Sequence, residues 1–175
     1  MKSLLLAVAA LVLLASNHSK ASLLIEPLIG YNLATKMGDE NGGSGRAFGG
    51  RLGYQNLGLQ LGVDYLNSTV EVDDVKDFNT NDFAAFVGYK FPVLLRVYAG
   101  YIFSSSGEFT LASTKRKVEE GSGQKFGVSF TGLPFVNINF EYRTISYDKV
   151  NNAAVTGNGG DYQSYLVSLS LPLNF

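Results

Sequence analysis

Apolar and polar residues alternate along most of this chain, and after Ser22 no segment keeps an i, i+3, i+4 apolar pattern for three turns. A period of two predicts strands, and eight runs show it: 24–34, 46–54, 57–67, 82–91, 94–104, 123–132, 135–147 and 162–174. Their connections differ systematically. "QN" (Gln55, Asn56) joins runs two and three, "PVL" joins four and five, and "GLPF" joins six and seven. The other four connections are long and polar: "KMGDENGGSG", "STVEVDDVKDFNTN", "SSGEFTLASTKRKVEEGSG" and "KVNNAAVTGNGGD". Strict alternation of short and long connections predicts an up-and-down antiparallel sheet with every tight turn on one side.

In each run one parity collects large apolar residues, such as Leu57, Leu59, Leu61, Val63 and Tyr65 in run three. The other parity collects glycine, polar and charged residues, such as Gly58, Gln60, Gly62 and Asp64. A soluble barrel would turn the apolar parity inward, whereas a membrane barrel turns it outward to lipid. Volume decides between them. A closed eight-stranded barrel is only wide enough for side chains to fill, and that many large apolar groups do not fit inside it.

Aromatic residues on the apolar parity gather at the ends of the runs. Tyr31, Phe48, Tyr65, Phe83, Phe103, Phe126, Tyr142 and Tyr165 fall toward the long connections, and Tyr54, Phe91, Phe135 and Phe175 toward the tight turns. Two aromatic girdles around an aliphatic belt fit a membrane with two interfaces. On this reading Leu61 is mid-belt and Tyr54 is in a girdle. Eleven residues rise roughly 36 Å, which at a tilt near 45° spans about 25 Å of apolar height. The fold class is therefore all-β, an eight-stranded antiparallel up-and-down transmembrane β-barrel.

The last eleven residues, "YLVSLSLPLNF", supply the closing strand. A barrel in lipid must pair every backbone group, so run eight must meet run one. The polar parity that would line the lumen carries Glu26, Asp64 and Glu141 against Arg51, Lys90, Arg96, Lys125 and Arg143. These groups are expected to form a salt-bridge plug, with Arg96 reaching across the lumen to Glu26. A gated ion path is the competing reading.

Composition narrows the picture further. Charged residues make up only 17% of the chain and hydrophobic residues 46%, with no Cys or Trp. A formal net charge of −1 gives no basic excess for nucleic acid. Lys2, the apolar stretch Leu4–Leu14 and small residues at Ser19 and Ala21 read as a secretory signal over 1–21, leaving 22–175 as the barrel. Removing Lys2 and Lys20 from the 14 basic residues leaves 12 against 15 acidic ones, a net of −3. The only histidine, His18, lies in that leader. Thiolate and His/Cys metal sites are thus excluded, and no cofactor is expected. "EVDDVKD" (Glu71–Asp77) fits no EF-hand spacing and reads as a solvated acidic loop. "KRK" with "EE" (Lys115–Lys117, Glu119, Glu120) reads as a hairpin tip with internal ion pairs, and lipopolysaccharide phosphates are the alternative target.

Leader, eight alternating runs, three tight turns, four long connections and a terminal Phe175 together resemble the eight-stranded outer-membrane barrel family that includes the OmpA transmembrane domain and OmpX. The resemblance covers Ser22 to Phe175. It implies the bacterial outer membrane, contact with outer-membrane lipid and lipopolysaccharide, and a monomer. It also implies that the assembly machinery reads Phe175 as a signal. The family's enzymes use a catalytic histidine, which the chain lacks after its leader. The expected function is therefore non-enzymatic: an anchor displaying four extracellular loops for interaction or envelope integrity. A narrow channel for ions or small solutes is the alternative.

Overall fold

The computed structural model describes residues 21–37, 40–72, 75–111, 114–151, 153–154 and 160–175. Residues 1–20 of the expected leader, and Asp73 and Asp74 of the acidic stretch, lie outside the described residues. The strands are β1 (Ser22–Met37), β2 (Glu40–Asn56), β3 (Leu59–Val72), β4 (Val75–Lys90), β5 (Leu95–Leu111), β6 (Thr114–Phe130), β7 (Asn137–Val150), β8 (Ala153–Ala154), β9 (Asp161–Ser170) and β10 (Leu173–Asn174). β1 to β7 pair in chain order, and β9 pairs with both β7 and β1, so the sheet closes. β8 and β10 are short additions on β7 and β1. The barrel thus has eight long antiparallel strands.

Pro172 interrupts the closing strand because it has no N–H to give the ladder. The seam resumes beyond it. Leu23 N–H donates to the Phe175 carbonyl at 2.9 Å, and Phe175 N–H donates to the Leu23 carbonyl at 3.0 Å. The terminal residue therefore closes the ladder through its backbone.

Four expectations need correction. The β2–β3 turn is Leu57–Gly58, not Gln55–Asn56: Asn56 pairs with Leu59, and positive φ values of 49° and 84° make a type I′ turn. Phe135 sits in the β6–β7 turn, not on a strand. Leu61 is not mid-belt, because the register sets it directly opposite Tyr54, and Val63 occupies the middle level. Most of the long polar connections are strand as well. β5 and β6 continue to Leu111 and Thr114, and β3 and β4 to Val72 and Val75.

The reason these strand extensions look like loops is a change of solvent. Along β4 the outward residues run Tyr89, Val87, Ala85 and Phe83, then become Asn81 and Asn79. The inward residues run Gly88, Phe86 and Ala84, then Asp82, Thr80 and Phe78. Period two persists, but above Phe83 the polar residues are outside. The same reversal follows Tyr65 to Asn67, Tyr142 to Thr144, and Tyr165 to Gln163. A strand that leaves an apolar surround for water must exchange its outer face.

Candidate functional site

The lumen is filled in layers, and register explains the central one. Glu26 of β1 lies directly opposite Arg51 of β2, and Arg51 directly opposite Asp64 of β3. Alternating charge on adjacent strands is the favourable arrangement for cross-strand pairs. Arg51 lies 3.6 Å from Glu26, 3.8 Å from Asp64 and 3.1 Å from Glu141. Lys125 pairs with Asp64 and lies 3.5 Å from Glu141. Arg143 lies 3.1 Å from Glu141 and 2.8 Å from Asp82. Arg96 donates two hydrogen bonds to Glu26, at 2.6 and 2.9 Å.

Every member of this network is buried, and among the described residues the buried charges are four acids and four bases. Balance matters because an unpaired ion away from water is costly, whereas a paired, hydrogen-bonded one is tolerated. The sequence reading placed three acids and five bases here. Lys90 does not join the network: although opposite Arg96 in the ladder, it ends β4 with its side chain exposed at the tight-turn rim. Asp82 replaces it in the balance. Asp82 shares the inward parity of Ala84, so the period signal was present, but it sits where a loop was expected to begin.

Tyr98 was also missed, on the same parity as Arg96. The Arg51 guanidinium lies 4.4 Å and the Arg96 guanidinium 5.3 Å from the Tyr98 ring centroid, so two cations stack on one aromatic ring. Gly127 makes room for it, since a Cβ there would lie 2.1 Å from Tyr98 Cζ.

Small polar residues support the lower part of the network. Ser170 donates to Glu26 at 2.5 Å, and Asn137 donates to the same carboxylate at 3.3 Å. Asn139 accepts from Arg96 at 2.8 Å and from Ser129 at 2.6 Å, and donates to Ser168 and Ser170. The serines of "YLVSLSLPLNF" thus orient the acid and base that cross the lumen.

Above the charges lies an apolar cap of Phe78, Ala84, Ile102, Phe109, Val118, Ile145, Tyr147 and Tyr162. Phe78 is its centre, with ring centroids 5.5 Å from Tyr162, 6.1 Å from Phe109 and 6.4 Å from Tyr147. Between cap and network, Asp82 accepts from Ser105 at 2.5 Å, and Ser105 meets the Tyr147 hydroxyl at 2.8 Å. Beside Arg51, Asp64, Lys125, Glu141 and Arg143 there is a cavity of about 10 Å³, room for roughly one water.

The outer wall carries the girdle residues. Tyr31, Phe48, Tyr54, Phe83, Phe91, Phe103, Phe126, Phe135 and Tyr165 are exposed, and Tyr65 and Tyr142 are half-buried against neighbours. Tyr65 stacks on Phe83 at 5.0 Å, Tyr142 on Tyr165 at 5.1 Å and Tyr89 on Phe91 at 4.9 Å. Phe175 is exposed beside the seam. At the hairpin end Lys117 pairs with Glu108 at 3.2 Å and Lys149 with Glu120 at 2.5 Å, while Lys115 and Arg116 are exposed.

Comparison with known proteins gives the same architecture. Neisserial surface protein A is similar at 17% identity and a TM-score of 0.57, over 87% of this chain and 99% of that one. The N-terminal β-barrel domain of Pseudomonas aeruginosa OprF is similar at 12% identity and a TM-score of 0.55, over 88% and 100%. Ail, the attachment invasion locus protein of Yersinia pestis, in complex with the heparin analogue sucrose octasulfate, is similar at 15% identity and a TM-score of 0.54, over 87% and 98%. Identities this low carry the fold alone. No curated protein matches by sequence. The model for an outer membrane protein beta-barrel domain matches residues 3–175, and the chain belongs to that family.

Proposed function

We propose that the protein is a non-enzymatic anchor of the bacterial outer membrane, reached by way of a cleaved leader, whose barrel displays four hairpins outside the bilayer. The observation that carries this reading is the filled lumen. A charged plug under an apolar cap makes a rigid post, and rigid scaffolds are where functional loops are mounted. The outward aliphatic belt contacts lipid, and the two aromatic girdles sit at its interfaces.

The channel reading finds less support. Ions would have to pass a cap of packed rings and then a layer in which every cation is already paired. A hydrolase of the family's histidine type would lack its base, because His18 is the only histidine of the sequence.

The hairpins serve interaction or envelope integrity. An Ail structure with a sulfated ligand shares this fold. Here Lys115 and Arg116 are exposed on the β5–β6 hairpin, while Lys117 is held by Glu108. That hairpin is the best-suited of the four for lipopolysaccharide phosphates or another anionic ligand. Refolded protein in vesicles, with each hairpin shortened to the girdle in turn, tests the reading by its binding to lipopolysaccharide and to cells. Loss of binding with one hairpin, the barrel still folded, is expected. Binding that survives all four truncations would overturn display as the function.

A further inference from the structure

All three tight turns bend at a bulky apolar residue in the left-handed backbone region: Leu57 at φ 49°, Leu94 at 64° and Phe135 at 67°. Glycine or asparagine ordinarily fills such positions, because a Cβ there crowds the backbone. Two other described non-glycine residues have positive φ, Glu120 and Asn151, and both are polar and lie at the hairpin end. So the unfavourable conformation coincides with apolar side chains only at the tight-turn end.

Those side chains do not fold back onto the barrel. Phe135 is 82% exposed and Leu57 79%, with Val93, Leu94, Leu133 and Phe175 exposed beside them. The patch continues the outward belt through Tyr54, Phe91, Leu95 and Leu173, which are exposed on the last turns of their strands. No exposed acid lies at this end among the described residues, and Lys90 supplies an exposed cation at its rim. Hairpins in water would be expected to show the reverse: polar residues, and glycine wherever φ is positive.

We infer that the three turns and Phe175 form an apolar foot set in the headgroup layer of the adjacent phospholipid leaflet. The left-handed strain at Leu57, Leu94 and Phe135 is kept because the residues that would relieve it would lose the lipid contact. The foot extends the membrane-facing surface beyond the strands, and Lys90 meets lipid phosphate at its edge. The inference rests on the barrel being embedded in a bilayer.

Asparagine separates strain from lipid contact, because it tolerates positive φ but is polar. Leu57→Asn, Leu94→Asn and Phe135→Asn would be refolded into vesicles of phosphatidylethanolamine and phosphatidylglycerol and unfolded in urea. Each is expected to unfold at lower urea than the parent. A midpoint unchanged or raised in all three would mean that the turns stand in water, and would overturn the foot.

The chain has no tryptophan, so Leu94→Trp and Phe135→Trp give single probes. Both are expected to emit to the blue of free tryptophan, to be quenched by lipid brominated near the headgroup, and to resist acrylamide. Quenching by acrylamide and not by lipid would overturn the foot and leave the patch open to a periplasmic protein. Val128→Trp, in the outward belt, is the control, read with lipid brominated deep in the acyl chain. If it too escapes lipid quenching, the embedded barrel itself fails; if the turn probes alone escape, only the foot does.

Discussion

Glu26 and Arg96, 70 residues apart on β1 and β5, meet across the lumen through two hydrogen bonds of 2.6 and 2.9 Å. Among the described residues Glu26 is the only acid paired with Arg96, whereas Glu26 also has Arg51, Ser170 and Asn137. The two truncations should therefore differ. Glu26→Ala strands the buried Arg96 and takes from Arg51 one of its three acids, and should cost about 3–5 kcal/mol, the usual penalty for breaking a buried ion group. Arg96→Ala should cost less, since Glu26 keeps Arg51, Ser170 and Asn137 as partners. Urea unfolding of refolded protein measures both. Equal losses, or none for Glu26→Ala, would remove Glu26 from its central place.

The seat of Tyr98 makes a steric prediction. Gly127→Ala should destabilise by about 1–3 kcal/mol, because its methyl would overlap the Tyr98 ring. Pairing it with Tyr98→Leu should recover part of that loss, as contacting residues couple by about 0.5–3 kcal/mol. Strict additivity in the double-mutant cycle would mean that the ring does not occupy that space.

How far the sequence disclosed this arrangement depends on the solvent around each strand. Inside the apolar belt, one parity is apolar and the other small or charged, so Arg51, Asp64, Lys125, Glu141 and Arg143 could be assigned to the lumen by counting. Above the girdle both faces carry polar residues. Phe78, Phe109 and Val118, the heart of the cap, therefore lay inside segments that read as loops. Asp82 was lost at the same boundary. Lys90 failed for a different reason: parity gives direction but not depth, and at the end of β4 the inward direction opens to solvent. Turn position also escaped the sequence, because a leucine with positive φ at residue 57 contradicts the residue preferences by which turns are recognised.

Charge on the outer wall should cost according to depth. Val63→Arg, midway between the Tyr65 and Tyr54 levels, should destabilise by roughly 2–4 kcal/mol, and Tyr54→Arg by roughly 0–1 kcal/mol. Leu61→Arg, opposite Tyr54, should resemble the latter. Urea unfolding in vesicles reads all three, and equal costs would argue that the belt does not face lipid.

Phe175 closes the seam with its backbone, yet the residue is 74% exposed. Phe175→Ala keeps the two backbone hydrogen bonds, so the folded barrel should lose little stability. Export should suffer instead, with less protein in the outer membrane and unfolded chain in the periplasm. Normal membrane levels together with normal heat-modifiable gel migration would show that the ring is not an assembly signal.

The central claim, a post with a closed lumen, is tested most directly by planar-bilayer recording of the refolded protein. The packed cap and the paired charge layer should give no steady, protein-dependent conductance steps. Reproducible steps that scale with the amount of folded protein would contradict the account and establish a channel.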